Sequence, residues 1–337
     1  MRSRSCFPIF LSFIICTAAI AAPDAPAQKQ PAKPRPLPAG VKAEYDVKYI
    51  PDGDSSQALD IFFPEQRSEK PEPLLVWIHG GGWQGGSKSG CPFVFEVPRG
   101  YIAASVEYRF SQKAIFPAQA QDCQAAIRWL RANAKKYNID PDHIGIGGAS
   151  AGGHLVALLG TAGGKKAFSP IGGNEDQSDR VQAVCDLFGP ADFYTVVAQA
   201  NEDKTKSIFK WNNGDPYSKL IGGAKLGEDK EKCDAVSPAH YVSKDNPPFL
   251  ILHGDHDALV PFAQSEELTD LLKKAGVEVT LQRMPGSGHG GAAFSLPAVS
   301  KLENAFFDKH LKGVDAKIEA LPDSEVTAKP QAAKASK

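Results

Sequence analysis

The chain has 337 residues, 42% of them apolar and 23% charged, with a formal net charge of −1 at pH 7. A charge this close to zero excludes the basic footprint of a nucleic-acid binder and the polybasic patch of a membrane-surface protein. Six Cys are too few for a disulfide scaffold, and the length allows one large domain or two ordinary ones.

Residues 1–21 have the form of a signal peptide. Arg2 and Arg4 give a basic start, Phe7 to Cys16 is an apolar run too short to span a bilayer, and Ala19-Ile20-Ala21 is a small-x-small cleavage site. The expectation is export to a secreted or periplasmic location, with no stable membrane insertion after cleavage. Residues 22–40 are rich in Pro and Ala with almost no large apolar side chains, so they form a linker of polyproline character. Export leaves Cys91, Cys123, Cys185 and Cys233 in an oxidising compartment, where three pairings are open and the sequence favours none. Cys123 lies on the apolar face of a predicted helix, where a buried inert thiol is the plainer reading.

The strands come next. Ala43–Ile50 and Ala58–Phe63 have the look of antiparallel entry strands. Leu74–Ile78 is a short continuous apolar run, which suits a strand buried on both faces. Tyr101–Tyr108, His143–Gly147, Val181–Leu187, Phe249–Leu252 and Val277–Met284 follow as further strands. Between them the spacing predicts helices. In Pro117–Tyr137 the apolar positions Ala120, Cys123, Ile127, Leu130, Ala134 and Tyr137 recur every three or four residues. Ala151–Leu159, Phe262–Ala275 and Leu296–Leu311 are the other helices. Alternating strands and helices argue for a mostly parallel sheet with helices on both faces, a single domain over residues 41–313. Residues 189–248 fit the alternation poorly and form a candidate insertion carrying Phe193, Tyr194, Trp211 and Tyr217. Residues 314–337, rich in Ala, Lys and Pro, are expected to be a disordered tail.

Chemistry gathers where strands end. Gly148-Ala149-Ser150-Ala151-Gly152 follows one strand and opens a helix, the setting a nucleophile elbow requires. The turn is so sharp that the positions two before and two after Ser150 have no room for a side chain. His79-Gly80-Gly81-Gly82-Trp83 follows another strand, and its glycines free backbone N–H groups for an oxyanion. The expected donors are the N–H groups of Gly81, Gly82 and Ala151, each worth about 3–4 kcal/mol to a transition state. His79 is expected to be structural, while Trp83 either floors a pocket or packs. His289, in Gly286-Ser287-Gly288-His289-Gly290-Gly291, is the candidate base. Asp255 and Asp257 both follow a strand, and Asp257 is the preferred orienter because Asp255 sits where a turn-forming Asp is common. The order Ser150, Asp257, His289 is that of an α/β-hydrolase. The Gly81–Ser89 stretch misses the P-loop spacing because Ser87 separates Gly86 from Lys88. The sequence contains no CxxC and no His/Cys cluster at metal spacing, so neither a metal nor an organic cofactor is expected.

With these motifs in place, the chain resembles α/β-hydrolase esterases of the HGGGW class. Within them it is similar to bacterial proteins described as feruloyl or acetyl-xylan esterases. The resemblance covers about Ala43–Leu311 and is carried by HGGGWQGG, VEYRFS, the stretch from Phe116 to Thr161, YVSKDNPPFLILHGDHDALVPF and GSGHGG. It implies an α/β-hydrolase fold and a nucleophile, acid and base at Ser150, Asp257 and His289, with oxyanion donors at Gly81, Gly82 and Ala151. One departure stands out: the strand before the elbow ends Gly145-Ile146-Gly147-Gly148, where a bulkier residue is expected near Gly147. The expected activity is hydrolysis of carboxylic esters, with a small-molecule or glycan ester as substrate. A serine peptidase or amidase, arylformamidase-like enzymes included, is the alternative on the same three residues. Trp83, Trp211 and Tyr217 are candidate substrate contacts, although Trp211 and Tyr217 pack the insertion equally well. A neutral imidazole base implies that activity falls below roughly pH 6–6.5.

Overall fold

The computed structural model describes residues 36–165, 167–203, 207–211 and 214–327. The signal-peptide reading and most of the linker fall outside the described residues. Eight strands form one sheet in the order β1-β2-β4-β3-β5-β6-β7-β8. They are β1 (Val41–Lys48), β2 (Ala58–Pro64), β3 (Glu72–Ile78), β4 (Ile102–Val106), β5 (Ile139–Ala149), β6 (Ala183–Leu187), β7 (Phe249–Gly254) and β8 (Val279–Met284). β1 pairs antiparallel with β2 and β2 antiparallel with β4, while every pairing from β4 to β8 is parallel.

Alternation along each strand divides the core in two. Leu74, Val76 and Ile78 of β3 and Phe249 and Ile251 of β7 point to one face, joined by buried residues of α1 (Ala118–Ala132), α3 (Ala151–Ala162) and α7 (Phe262–Lys274). Leu75 of β3 and Leu250 and Leu252 of β7 point to the other, under α8 (Pro297–Lys312). A buried parallel sheet needs strands that are apolar on both sides, and for that reason these read as unbroken apolar runs. α2 (Ala134–Tyr137) continues α1 after Asn133. Among the described residues the insertion holds three short α-helices, α4 (Val196–Glu202), α5 (Pro216–Leu220) and α6 (Lys230–Val236).

Packing explains the glycine-rich end of β5. A Cβ at Gly147 would run into the Phe93 ring, and one at Gly145 into Leu311 and Phe307. The bulk expected beside the elbow is supplied from outside the strand, by Phe93 and α8.

One expectation needs correction. Residues 314–327 are not a disordered tail. Ile318 and Leu321 pack against the α8-side core, and Val326, in α9 (Asp323–Val326), is 0% exposed. The backbone of this strap is tied to β8, with Thr280 Oγ1 donating to the Ile318 carbonyl and the Leu321 N–H donating to Gln282 Oε1. The cysteines, whose pairing the sequence left open, are unpaired. Cys91, Cys123, Cys185 and Cys233 are all buried free thiols, and burial pushes Cys91 up to about 12.

Candidate active site

β5 ends at Ala149 and α3 begins at Ala151, so Ser150 is the whole turn. Its backbone has φ 58° and ψ −120°, a state that L residues avoid. The strain is held by close packing on both sides. A Cβ at Gly148 would collide with the carbonyls of Gly152 and Ile78, and one at Gly152 with those of Ile78 and His79. The Ser150 N–H donates to the Leu187 carbonyl of β6 (2.9 Å), which fixes the turn against the neighbouring strand.

Loops from β7 and β8 bring two side chains to this turn. Ser150 Oγ lies 2.7 Å from His289 Nε2 and donates to it, and His289 Nδ1 donates to Asp257 Oδ2 at 2.6 Å. Asp257 Oδ1 accepts the N–H groups of Leu259 (2.8 Å) and Val260 (3.0 Å). Burial alone would raise the Asp257 carboxyl. Hydrogen bonds from His253 and His289 outweigh it and hold the group well below the usual carboxylate range. Asp255 points elsewhere, accepting the Gly286 N–H (2.7 Å) and pairing with Arg283 (2.9 Å). The ring of Phe188 braces His289 edge-on at a centroid distance of 4.6 Å, from a backbone with φ 46°.

The glycine loop after β3 faces Ser150. Gly81 has φ 117° and Gly82 φ 60°, conformations open to glycine. The His79 ring sits between the Gly80 carbonyl oxygen, 2.7 Å from Nδ1, and Glu107 Oε1, 2.9 Å from Nε2. Because the peptide is planar and trans, holding the Gly80 oxygen turns the Gly81 N–H the opposite way. The Ala151 N–H belongs to the first turn of α3, where amides have no partner within the helix, and the helix dipole favours negative charge there.

These groups open on a cavity of about 410 Å³ lined by Gly80–Gly82, Trp83, Ala149–Ala151, Phe188, Pro190, Phe209, Pro216, Tyr217, Leu259, Val260 and His289. Trp83 and Tyr217 are thus on the wall. Trp211 is not. It stands one layer back, against Phe209 and Tyr217 at centroid distances of 5.5 Å each. Phe209 takes the place that the sequence reading gave to Trp211, and the only signal for it was its lying in the same aromatic-rich insertion. Phe188 was also missed, although its position directly after β6 is where sheet-end residues meet ligands. Trp83 is anchored from behind. Its Nε1–H donates to His154 Nδ1 (3.2 Å), and His154 Nε2 donates to the Val236 carbonyl (2.7 Å). Burial lowers His154 to about 4, so the ring is neutral and supplies one acceptor and one donor.

A family model described as BD-FAE matches residues 59–272. Esterase LipQ of Mycobacterium tuberculosis is 32% identical over 258 residues, covering 75% of this chain and 58% of that protein. Esterase LipC of the same organism is 28% identical over 242 residues, covering 70% and 57%. The chain therefore spans under three fifths of the length of these curated relatives. Among solved structures, a truncated form of a carbohydrate esterase from gut microbiota superposes with a TM-score of 0.73 at 32% identity, over 84% of this chain and 100% of that one.

Proposed function

The chain belongs to the BD-FAE family and has the α/β-hydrolase fold, and on that premise we propose that it hydrolyses carboxylic esters through an acyl-enzyme on Ser150. The observation that carries the reading is the unbroken line from Ser150 Oγ to His289 to Asp257 at 2.7 and 2.6 Å, opening on the cavity. In the proposed cycle His289 Nε2 takes the Ser150 proton as Oγ attacks the ester carbonyl. The N–H groups of Gly81, Gly82 and Ala151 receive the charge that develops on the carbonyl oxygen. His289 then passes its proton to the departing alcohol, and water, activated by the same ring, cleaves the acyl-enzyme. Asp257 holds the ring so that Nε2 faces Ser150 and stabilises its cation.

The cavity supports a neutral acyl group. Among the described residues its wall carries no Asp, Glu, Lys or Arg. An aminopeptidase site needs a carboxylate to meet the substrate ammonium, because an unpaired buried charge is costly. This favours the ester reading over the peptidase one. Within esters, we infer short acyl groups, acetyl or feruloyl groups on plant polysaccharide included. The aromatic wall suits both, and a structural neighbour is titled a carbohydrate esterase. Arg2, Arg4, the apolar run after them and Ala19-Ile20-Ala21 support export, which sequencing the mature N-terminus would test.

The deciding experiment compares turnover of p-nitrophenyl acetate, p-nitrophenyl butyrate, acetylated xylan and an aminoacyl anilide by the wild type and Ser150→Ala. Ester turnover that is lost in Ser150→Ala is expected. Full ester turnover by Ser150→Ala, or preference for the anilide, would overturn the reading.

A further inference from the structure

A second imidazole lies against the proposed acid. His253, near the end of β7, is 0% exposed, with its ring between those of Phe188 and Phe262 at centroid distances of 6.5 and 5.6 Å. Its Nε2 is 3.2 Å from Asp257 Oδ2 and 3.0 Å from the Val260 carbonyl oxygen. A carboxylate and a carbonyl only accept, so Nε2 carries hydrogen and donates to both. Its Nδ1 is 2.6 Å from Ser265 Oγ on α7. A hydroxyl both donates and accepts, so Ser265 holds the ring at Nδ1 whether or not that nitrogen carries hydrogen. Asp257 Oδ2 therefore receives two imidazole N–H groups, from His289 and from His253, while Oδ1 receives two backbone amides. The other charged group facing His253 is Asp186, on the neighbouring β6.

We infer that His253 is a positioning residue for the acid, and that Ser265 positions His253 in turn. The proposed three-residue line is then the inner part of a relay running Ser265, His253, Asp257, His289, Ser150. This rests on the serine mechanism proposed above. The physical reason is rotational. A carboxylate held only by His289 and two amides can turn about its own Cβ–Cγ bond and take the His289 ring with it. His253 pins Oδ2 from the opposite side. By also holding the Val260 carbonyl, it ties the far end of the 255–260 loop to the strand the loop leaves. Hydrogen bonds to a charged group are stronger than neutral ones, and low-dielectric surroundings magnify them. The contact thus acts on the geometry of proton transfer, and it reaches the cavity wall only through the Val260 backbone and the Phe188 ring.

The test uses His253→Phe, which keeps a ring of similar shape without the donor, His253→Gln, whose amide nitrogen reaches the Nε2 position, and Ser265→Ala. Three quantities are read on the full chain: kcat and KM on a p-nitrophenyl ester, the rate of Ser150 labelling by a fluorophosphonate, and the unfolding temperature. His253→Phe is expected to lower kcat about 10- to 100-fold with KM within about threefold, and to slow labelling in parallel. His253→Gln should recover most of the loss, and Ser265→Ala should lower kcat by about two- to fivefold. A folded His253→Phe with kcat near that of the wild type overturns the inference, as does a His253→Gln no faster than His253→Phe. If His253→Phe does not fold, Ser265→Ala decides, and unchanged kcat and labelling there overturn it. Labelling separates this inference from the function it rests on. A wild type that labels but turns over no ester overturns the ester reading, and the variants still test the relay through their labelling rates.

Discussion

The sheet end and the insertion contribute to the same cavity in different ways. Turns and loops leaving β3, β5, β7 and β8 carry Gly81, Ser150, Asp257 and His289, and each is fixed by a neighbour that leaves no slack. Ser150 is bonded to β6, the Gly80 oxygen to His79, and Asp257 to two amides and two imidazoles. The insertion contributes Pro190, Phe209, Pro216 and Tyr217, a wall of rings with helices of only five to seven residues behind it. The groups proposed to meet a transition state lie at the sheet end, where preorganisation lowers a barrier. The groups proposed only to receive a substrate lie on the part that depends on packing among aromatic side chains. Changes at the sheet end should therefore act on kcat, and changes in the insertion on KM and acyl preference.

The largest expected effect follows from removing the proposed nucleophile. Ser150→Ala should lower kcat/KM by a factor of about 10⁴ or more while the unfolding temperature changes little, as steady-state kinetics and a thermal scan would show. Gly86→Ala tests the glycine loop without touching a reacting group. Its Cβ would collide with the Gly80 carbonyl and with His79 Nδ1, so the Gly81 N–H should swing away. A drop in kcat of about 10²–10³ with KM nearly constant is expected, and a KM effect alone would break the division drawn above. Phe209→Ala should act in the opposite way. It enlarges the wall, so the ratio of kcat/KM for butyrate over acetate should change by about tenfold with a smaller change in kcat for acetate.

The smallest effect concerns the joint between the two regions. Asp186 on β6 is 1% exposed and accepts the Gly189 N–H, the first turn of the insertion. Burial raises its carboxyl to about 6 from an ordinary 3.8. Between those values the folded chain keeps a proton that the unfolded chain has released, so the wild type loses stability as pH rises from about 4 through about 6. Asp186→Asn has no such proton. Its stability advantage over the wild type should grow across that window by about 1–3 kcal/mol, measured by urea unfolding at pH 4.5 and 7.5. A gap that stays constant with pH would show that Asp186 keeps its charge in the fold.

What the sequence made legible divides along the same line. The central strands such as Leu74–Ile78 and Phe249–Leu252 stood out because a sheet covered on both faces leaves mostly apolar positions between its turns. The region around Ser150 was readable because Gly148 and Gly152 are there by steric necessity, with carbonyl oxygens where a Cβ would be. Ser150, Asp257 and His289 lie together in the structure, and the sequence had already placed them after three strands in the order of an α/β-hydrolase. The wall was harder. Trp211 and Phe209 are both aromatic residues in one irregular segment, and which of them reaches the cavity depends on how α5 and the loop before it settle. His253 carried no signal of its own, because its partners Asp257, Val260 and Ser265 meet it only after the chain has turned from β7 into α7. The strap at 314–327 was missed for a related reason. Ile318, Leu321 and Val326 follow neither helical nor strand spacing, since an extended segment buries whichever side chains the surface beneath it has room for.

That strap has a consequence for how copies of the chain behave together. β8 is the last strand of the sheet, and a bare sheet margin is a template on which other chains can add strands. Thr280 and Gln282 fasten the strap over the face of that margin, and Val326 plugs the apolar surface beside it. A chain shortened to residue 313 would uncover the apolar surface beside that strand on which Ile318, Leu321 and Val326 pack. It should accumulate as aggregate during expression even though every residue proposed for ester cleavage is still present, which would make residues 314–327 a guard on solubility.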